Sequence, residues 1–132
     1  MTWQTRAGYL SDNEGTSITS LSDGSSIITG YIQYTTYFGS IEIIGVGGYD
    51  GFIAKLNADG TYAWVTKAGG FPAAGGGDDA GTDIASLTDG SSIVTGTFSG
   101  NADFGGTSLT SAGSDDVFIA KLNADGTYAW AT

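Results

Sequence analysis

The side chains able to do chemistry in this chain are carboxylates and tyrosines, and little else. Its 132 residues include no histidine and no cysteine, so the commonest general base and the best nucleophile are both missing. Paired carboxylates remain, and these cleave glycosidic bonds when they face one another across a sugar. The acids here fall in turn-like stretches, where Asp is a turn former first, so the expectation is a chain that is not an enzyme. Carboxylates also bind calcium. Asp78, Asp79 and Asp83, and Asp115 with Asp116, are the oxygen-rich candidates. Calcium takes about 6–8 converging oxygens, which no EF-hand-like spacing here supplies. Solubility of the surface explains these acids, and neither a metal nor another cofactor is expected.

Binding has better candidates than catalysis. Tyr31, Tyr34, Tyr37 and Tyr49 crowd one stretch of the chain. A tyrosine offers a stacking face and a hydroxyl together, which suits a glycan or a protein partner. The competing expectation is that such rings fill a seam between packed sheets, as Phe38 and its counterpart Phe104 should. The segment 75–80, GGGDDA, formally matches G-x-G-x-x-A. It lacks a βαβ setting, and its two aspartates oppose a pyrophosphate; a loop is expected.

The elements that must position these groups come from a repeat. Residues 20–30 read SLSDGSSIITG and residues 86–96 read SLTDGSSIVTG; residues 52–64, FIAKLNADGTYAW, recur letter for letter at 118–130. Both pairs share one period of 66 residues. A fixed period of this size means repeated supersecondary units, none able to bury its apolar surface alone. The units are residues 1–66 and 67–132, the second with a loop five residues longer near 69–81 that contains Phe71-Pro72. With 23 glycines, seven tyrosines, six phenylalanines and one proline, the chain reads as all-β, short strands and tight turns. In the second unit the expected strands are 82–87, 91–98, 117–122 and 127–130. Thr88-Asp89-Gly90 and Asn123-Ala124-Asp125-Gly126 are the turns, and residues 99–116 are a polar excursion.

Four antiparallel strands in a repeat of this length is the size of a propeller blade. Phe52-Ile53-Ala54-Lys55-Leu56 does not alternate polar with apolar, so both faces of its sheet are expected to be covered, blade against blade. Trp3, Trp64, Trp130, Phe52, Phe118, Lys55 and Lys121 are the structural repeat positions. The two lysines, inside apolar strands, call for a carboxylate partner such as Asp50 or Asp116.

Several motifs, in order, resemble a family. W-x-T-K-A-G-G, G-T-D-I-A-S-L-T-D-G-S-S-I-V-T-G, F-S-G-N-A-D-F-G, D-V-F-I-A-K-L and D-G-T-Y-A-W are similar to bacterial β-propeller repeats of the SBBP type. The resemblance implies a four-stranded blade and an extracellular or cell-surface setting, and it brings no catalytic residues. Such proteins usually hold many repeats, whereas this chain holds two.

Propellers close with about 4–8 blades, and two blades leave two apolar faces open. Chains are therefore expected to associate with themselves, a trimer giving a six-bladed ring or a tetramer an eight-bladed one. The tryptophan strand occurs three times: residues 1–8 match 63–69, and residues 128–132 repeat it again. A terminal strand of this kind completes a blade at the other end or in the next subunit; equally, the chain is a fragment cut from a longer array or an engineered one. The net charge is −10, with only Arg6, Lys55, Lys67 and Lys121 positive, which disfavours nucleic acid and anionic membranes. Hydrophobic content of 40% is too high for a disordered acidic chain. No apolar run is long enough to cross a membrane as a helix, and MTWQTRAG is not a signal peptide. The functional expectations are thus a non-enzymatic self-assembling scaffold or a multivalent carbohydrate-binding lectin.

Overall fold

One kind of turn, used four times, sets the architecture. At Leu21–Ser25 the amide of Leu21 donates to Ser25 O at 2.8 Å and Gly24 N to Leu21 O at 3.1 Å. Gly24 takes φ +86°, and Asp23 Oδ1 accepts from both the amide and the hydroxyl of Ser25. This is a type I turn closed by a left-handed glycine, a geometry that matches the twist of a hairpin. The same bonds recur at Leu87–Ser91, Asn57–Thr61 and Asn123–Thr127. Each of these turns joins two strands of one sheet.

The computed structural model describes residues 4–71 and 76–132, and all the regular structure among them is strand. In chain order the strands are β1 (Ala7–Gly8), β2 (Asn13–Ser20), β3 (Ser26–Gln33), β4 (Thr36–Phe38), β5 (Ile41–Ile43), β6 (Tyr49–Leu56) and β7 (Tyr62–Ala68). The second unit follows with β8 (Gly76–Ser86), β9 (Ser92–Phe104), β10 (Thr107–Leu122) and β11 (Tyr128–Ala131). A first sheet has the order β2-β3-β6-β7 and a second β8-β9-β10-β11, each an antiparallel meander; β1-β4-β5 form a small third sheet. The expected segments 82–87, 91–98, 117–122 and 127–130 all fall on strands, but β8 begins, β9 ends and β10 begins well outside the expected bounds.

Two expectations need correction. The stretch 99–116 is not an irregular excursion: β9 and β10 run on through it as one long hairpin, closing at Gly105-Gly106. Its register shifts only between Thr110 and Asp115. In the first unit the same hairpin breaks at Tyr34, a non-glycine residue at φ +57°, and its tip leaves as β4 and β5. The second correction concerns Gly76–Ala80, which is the start of β8 rather than a loop. No helix follows it, so the phosphate-cradle motif has no structural basis. Trp3, Pro72 and Gly75 lie outside the described residues.

The two large sheets pack face to face, and the larger core lies between them. Ile27 and Ile53 of the first sheet meet Val94, Phe104, Phe118 and Leu122 of the second. A smaller core, Ile32, Phe38, Phe52 and Ala54, covers the opposite face of the first sheet, with Ala7 and Tyr62 packed against it. Polar bonds stitch the central seam. Thr16 Oγ1 donates to Gly81 O at 2.6 Å, Ser17 Oγ to Asp83 Oδ1 at 2.7 Å and Ser86 Oγ to Ser20 O at 3.0 Å. At its outer end Trp64 Nε1 donates to Ala124 O at 3.1 Å and Thr66 Oγ1 to Gly126 O at 2.9 Å. Gly81 shows how close the sheets come, since a Cβ there would lie 1.9 Å from Thr29 Oγ1.

Candidate functional site

Where β3 and β6 of the first sheet meet β8, β9 and β10 of the second, the seam opens into a cleft of about 190 Å³. Tyr31, Tyr49, Asp78, Asp79, Thr97 and Asp115 line it. Two of the four candidate tyrosines thus come together with three of the five candidate acids. The Tyr31 and Tyr49 rings pack edge to face with centroids 5.1 Å apart. Opposite them on β3 and β6, Tyr31 aligns with Gly51 and Gln33 with Tyr49, so the two rings lie diagonally on one sheet face. Tyr31 is fixed by its hydroxyl, which donates to Glu14 Oε2 at 2.6 Å; that bond to a carboxylate raises the phenol's pKa. Asp78 Oδ1 accepts from Tyr49 N at 3.0 Å, and Asp78 N donates to Ser99 Oγ at 2.9 Å.

The other candidates are elsewhere. Tyr37 pairs edge to face with Tyr9 at 5.5 Å on the small third sheet, and Tyr34 is largely exposed at the break in the hairpin. Asp83 is held by Ser17 and by Ile84 N, which lower its pKa. Asp116 Oδ2 accepts from Ala112 N at 2.7 Å. Among the described residues no group of three or more acidic side chains is placed to hold a metal ion. Lys55 and Lys121 do not face Asp50 and Asp116. They lie near Asp23 and Asp89 in the hairpin turns, whose carboxyls they help to keep ionised after the dominant bonds from Ser25 and Ser91.

Sequence reasoning named Asp50 and Asp79 separately but missed that the fold buries them as a pair at the base of the cleft. Asp50 and Asp79 are almost wholly buried, one on each sheet. Asp50 Oδ2 accepts from Val46 N at 2.6 Å and Asp79 Oδ2 from Gly70 N at 2.7 Å, while the Oδ1 atom of each has no partner. Gly69 and Gly70 wrap between them at positive φ, where a Cβ would strike Asp79 and Asp50 in turn. Burial, then the charge of Asp50, pushes the Asp79 carboxyl up to about 7; burial also raises Asp50. No local signal marks Asp50, because its copy Asp116 is only partly buried.

The other surfaces that stand out are the two outer faces of the sheet pair. The repeat allows like to be compared with like. Ile53 is fully buried in the seam, whereas its counterpart Ile119, on the equivalent face of the second sheet, is 42% exposed. Ile84 faces the seam at 8% exposure, and its counterpart Ile18 on the open face of the first sheet is 66% exposed. Trp64 caps the Ala124–Gly126 turn, while Trp130 stands out in solvent. A groove of about 350 Å³ runs along the open face of the first sheet past Ile18, Ile28, Phe52 and Leu56. The chain makes a tight seam once and leaves both of its halves unmatched outside. No protein-family model matches this chain, and neither does any curated protein.

Proposed function

We propose that this chain is a non-enzymatic, self-associating propeller scaffold, in which the open face of one copy's second sheet packs on the open face of another copy's first sheet. The observation that carries the reading is the contrast between Ile53 and Ile119 and between Ile84 and Ile18. One set of positions is dry inside the chain and wet at its edges, and clustered apolar side chains left in water on a sheet face favour an interaction surface. Each of the donors Trp64, Thr66 and Thr16 has a counterpart in Trp130, Thr132 and Thr82, and the acceptors Ala124, Gly126 and Gly81 have theirs in Ala58, Gly60 and Gly15. A head-to-tail contact of this kind closes into a ring when its rotation divides a full turn. Rings of about 4–8 blades accommodate a trimer or a tetramer of two-sheet chains. A native mass spectrum tests this: a trimer or tetramer is expected, and a chain that stays monomeric at every concentration overturns it.

A second reading has its own observation, the cleft. Tyr31 and Tyr49 present ring surface beside the acceptor oxygens of Asp78 and Asp115, a combination that suits the apolar face and hydroxyls of a sugar. In a ring the cleft repeats once per chain, and multivalency raises avidity without new contacts. The reading is a carbohydrate-binding lectin, and a glycan array is its test. Binding lost in Tyr49→Ser supports it; silence from a well-formed ring leaves the scaffold alone.

A further inference from the structure

In the first sheet, β6 pairs with β7 from Leu56 to Gly51, including Ile53 with Thr66, Phe52 with Lys67 and Gly51 with Ala68. The chain then crosses to the second sheet, where Gly69 N donates to Asp103 O at 3.0 Å. One strand thus finishes its own sheet and fastens it to the next. In the second sheet, β10 pairs with β11 as far as Ile119, whose amide and carbonyl bond Thr132 at 2.8 and 2.9 Å. The next two positions, Phe118 and Val117, are the counterparts of Phe52 and Gly51. Among the described residues no strand pairs with them on that edge, and the Val117 side chain is 67% exposed. Residues two apart on a strand turn their backbone groups to the same edge, so the Val117 N–H and C=O point outward beside those of Ile119. The N-terminal segment holds the other half of the arrangement. Arg6-Ala7-Gly8 aligns with Lys67-Ala68-Gly69. Gly8 pairs with Tyr37 and Ala7 with Phe38, the counterparts of Asp103 and Phe104. The segment is fastened to the first sheet as the end of β7 is fastened to the second, yet Ala68 is fully buried and Ala7 only half-buried.

We propose that β1 and β11 are two halves of one strand, joined between copies: when the second sheet of one copy packs on the first sheet of another, Arg6 and Ala7 of the latter pair with Phe118 and Val117 of the former, and Arg6 reaches Asp116. The proposal rests on the self-association reading and adds which edges meet. Thr5 shares its alignment position with Thr132, so Thr132 takes that place in the joined strand and Thr5 turns out of it. Charge favours the match. Inside the chain, Lys67 Nζ donates to Ile44 O at 3.1 Å. Burial raises the Asp50 carboxyl, and the bond from Val46 N and then the charge of Lys67 pull it back. Asp116 is the counterpart of Asp50 and is held in the same way, its Oδ2 accepting from Ala112 N at 2.7 Å as Asp50 Oδ2 accepts from Val46 N at 2.6 Å. Arg6, the counterpart of Lys67, is exposed. The same cation–carboxylate position is filled once within the chain and once between copies.

Full-length variants compared by sedimentation velocity across a concentration series test this, with circular dichroism as the check on folding. Val117→Pro removes an outward N–H from a sheet edge, where proline is tolerated; its spectrum is expected to be unchanged and its association about tenfold weaker. Asp116→Asn keeps an acceptor for Ala112 N and loses the charge. In the parent chain it is expected to weaken association about threefold, and in an Arg6→Glu background to strengthen it about threefold. A general effect of net charge moves both in one direction. Gly15→Val reports on the sheet-to-sheet contact alone, since a Cβ there meets nothing within 4 Å in the single chain, while Thr95 of a second copy lies over it as Thr29 lies over Gly81. Association of a folded Val117→Pro at the parent's strength, or Asp116→Asn acting alike in both backgrounds, overturns the joined strand; with Gly15→Val still blocking, self-association stands without it. If Val117→Pro does not fold, the charge pair decides. Normal association of Gly15→Val overturns the register and the joining with it. If the parent chain associates at no concentration, self-association itself falls.

Discussion

Gly15 and Gly81 are one residue type at one repeat position, and only their surroundings separate them. A methyl at Gly81 must push Thr29, whose hydroxyl is already committed to Phe52 O at 2.7 Å. Gly81→Ala is expected to cost about 1–3 kcal/mol by overpacking, and Gly15→Ala less than about 0.5 kcal/mol, measured by urea denaturation of the dilute chain. Asp79 gives a second residue-level prediction. Its carboxyl holds a proton in the fold up to about pH 7, whereas an unfolded Asp loses it near 3.8. The folded state therefore binds more protons between those values, and stability falls as pH rises from about 4 to about 7, then levels. Asp79→Asn removes this residue's share of the slope, leaving that of Asp50, and is expected to raise the melting temperature at pH 8 by about 5 °C. The first unit already carries the amide at this position, as Asn13, which accepts from Thr36 Oγ1 at 2.8 Å.

Strands with the same sequence do different work according to what covers them. β7 and β11 share Tyr-Ala-Trp, but Trp64 packs on Gly126, where a Cβ would lie 2.6 Å from the ring, while Trp130 is exposed. Trp64→Ala is expected to cost about 2 kcal/mol and Trp130→Ala almost nothing in the dilute chain; melting curves of the two variants, side by side, provide the measurement. The comparison also shows what the sequence could reveal. Period, strands and turns were legible, because glycine at positive φ and β-branched runs are local signals. The long β9–β10 hairpin was not: SGNADFGGTSLTSAGSDD reads as polar and glycine-rich, yet both strands have a partner for their backbone groups, which composition does not report. Half of the cleft was legible as tyrosines and acids. Its convergence was not, since Asp78 meets Tyr49 only through the packing of two sheets. The partners of Lys55 and Lys121 were missed for a related reason, because the turn carboxylates of Asp23 and Asp89 meet lysines on strands that come later in the chain and pair with the strand after each turn.

For the whole molecule, charge and apolar area pull in opposite directions. Every copy carries −10, so association brings like charge together, and salt screens that repulsion over about 8–10 Å. Raising salt from about 50 mM to about 500 mM is expected to tighten self-association by lowering this repulsion, the reverse of a nucleic-acid binder; sedimentation at the two ionic strengths reads it directly. The melting temperature should also climb with protein concentration, as it does for any fold stabilised by its own copies. The letter-for-letter identity of residues 52–64 and 118–130 has one more effect, on the path by which the chain folds. β3 accepts β6 in a register that β9 repeats with β10, so an unfolded chain can zip its last hairpin onto β3 and leave the middle looped out. Such decoys are native in every local bond and wrong only in connectivity, and this molecule must unzip them before it reaches the arrangement seen here.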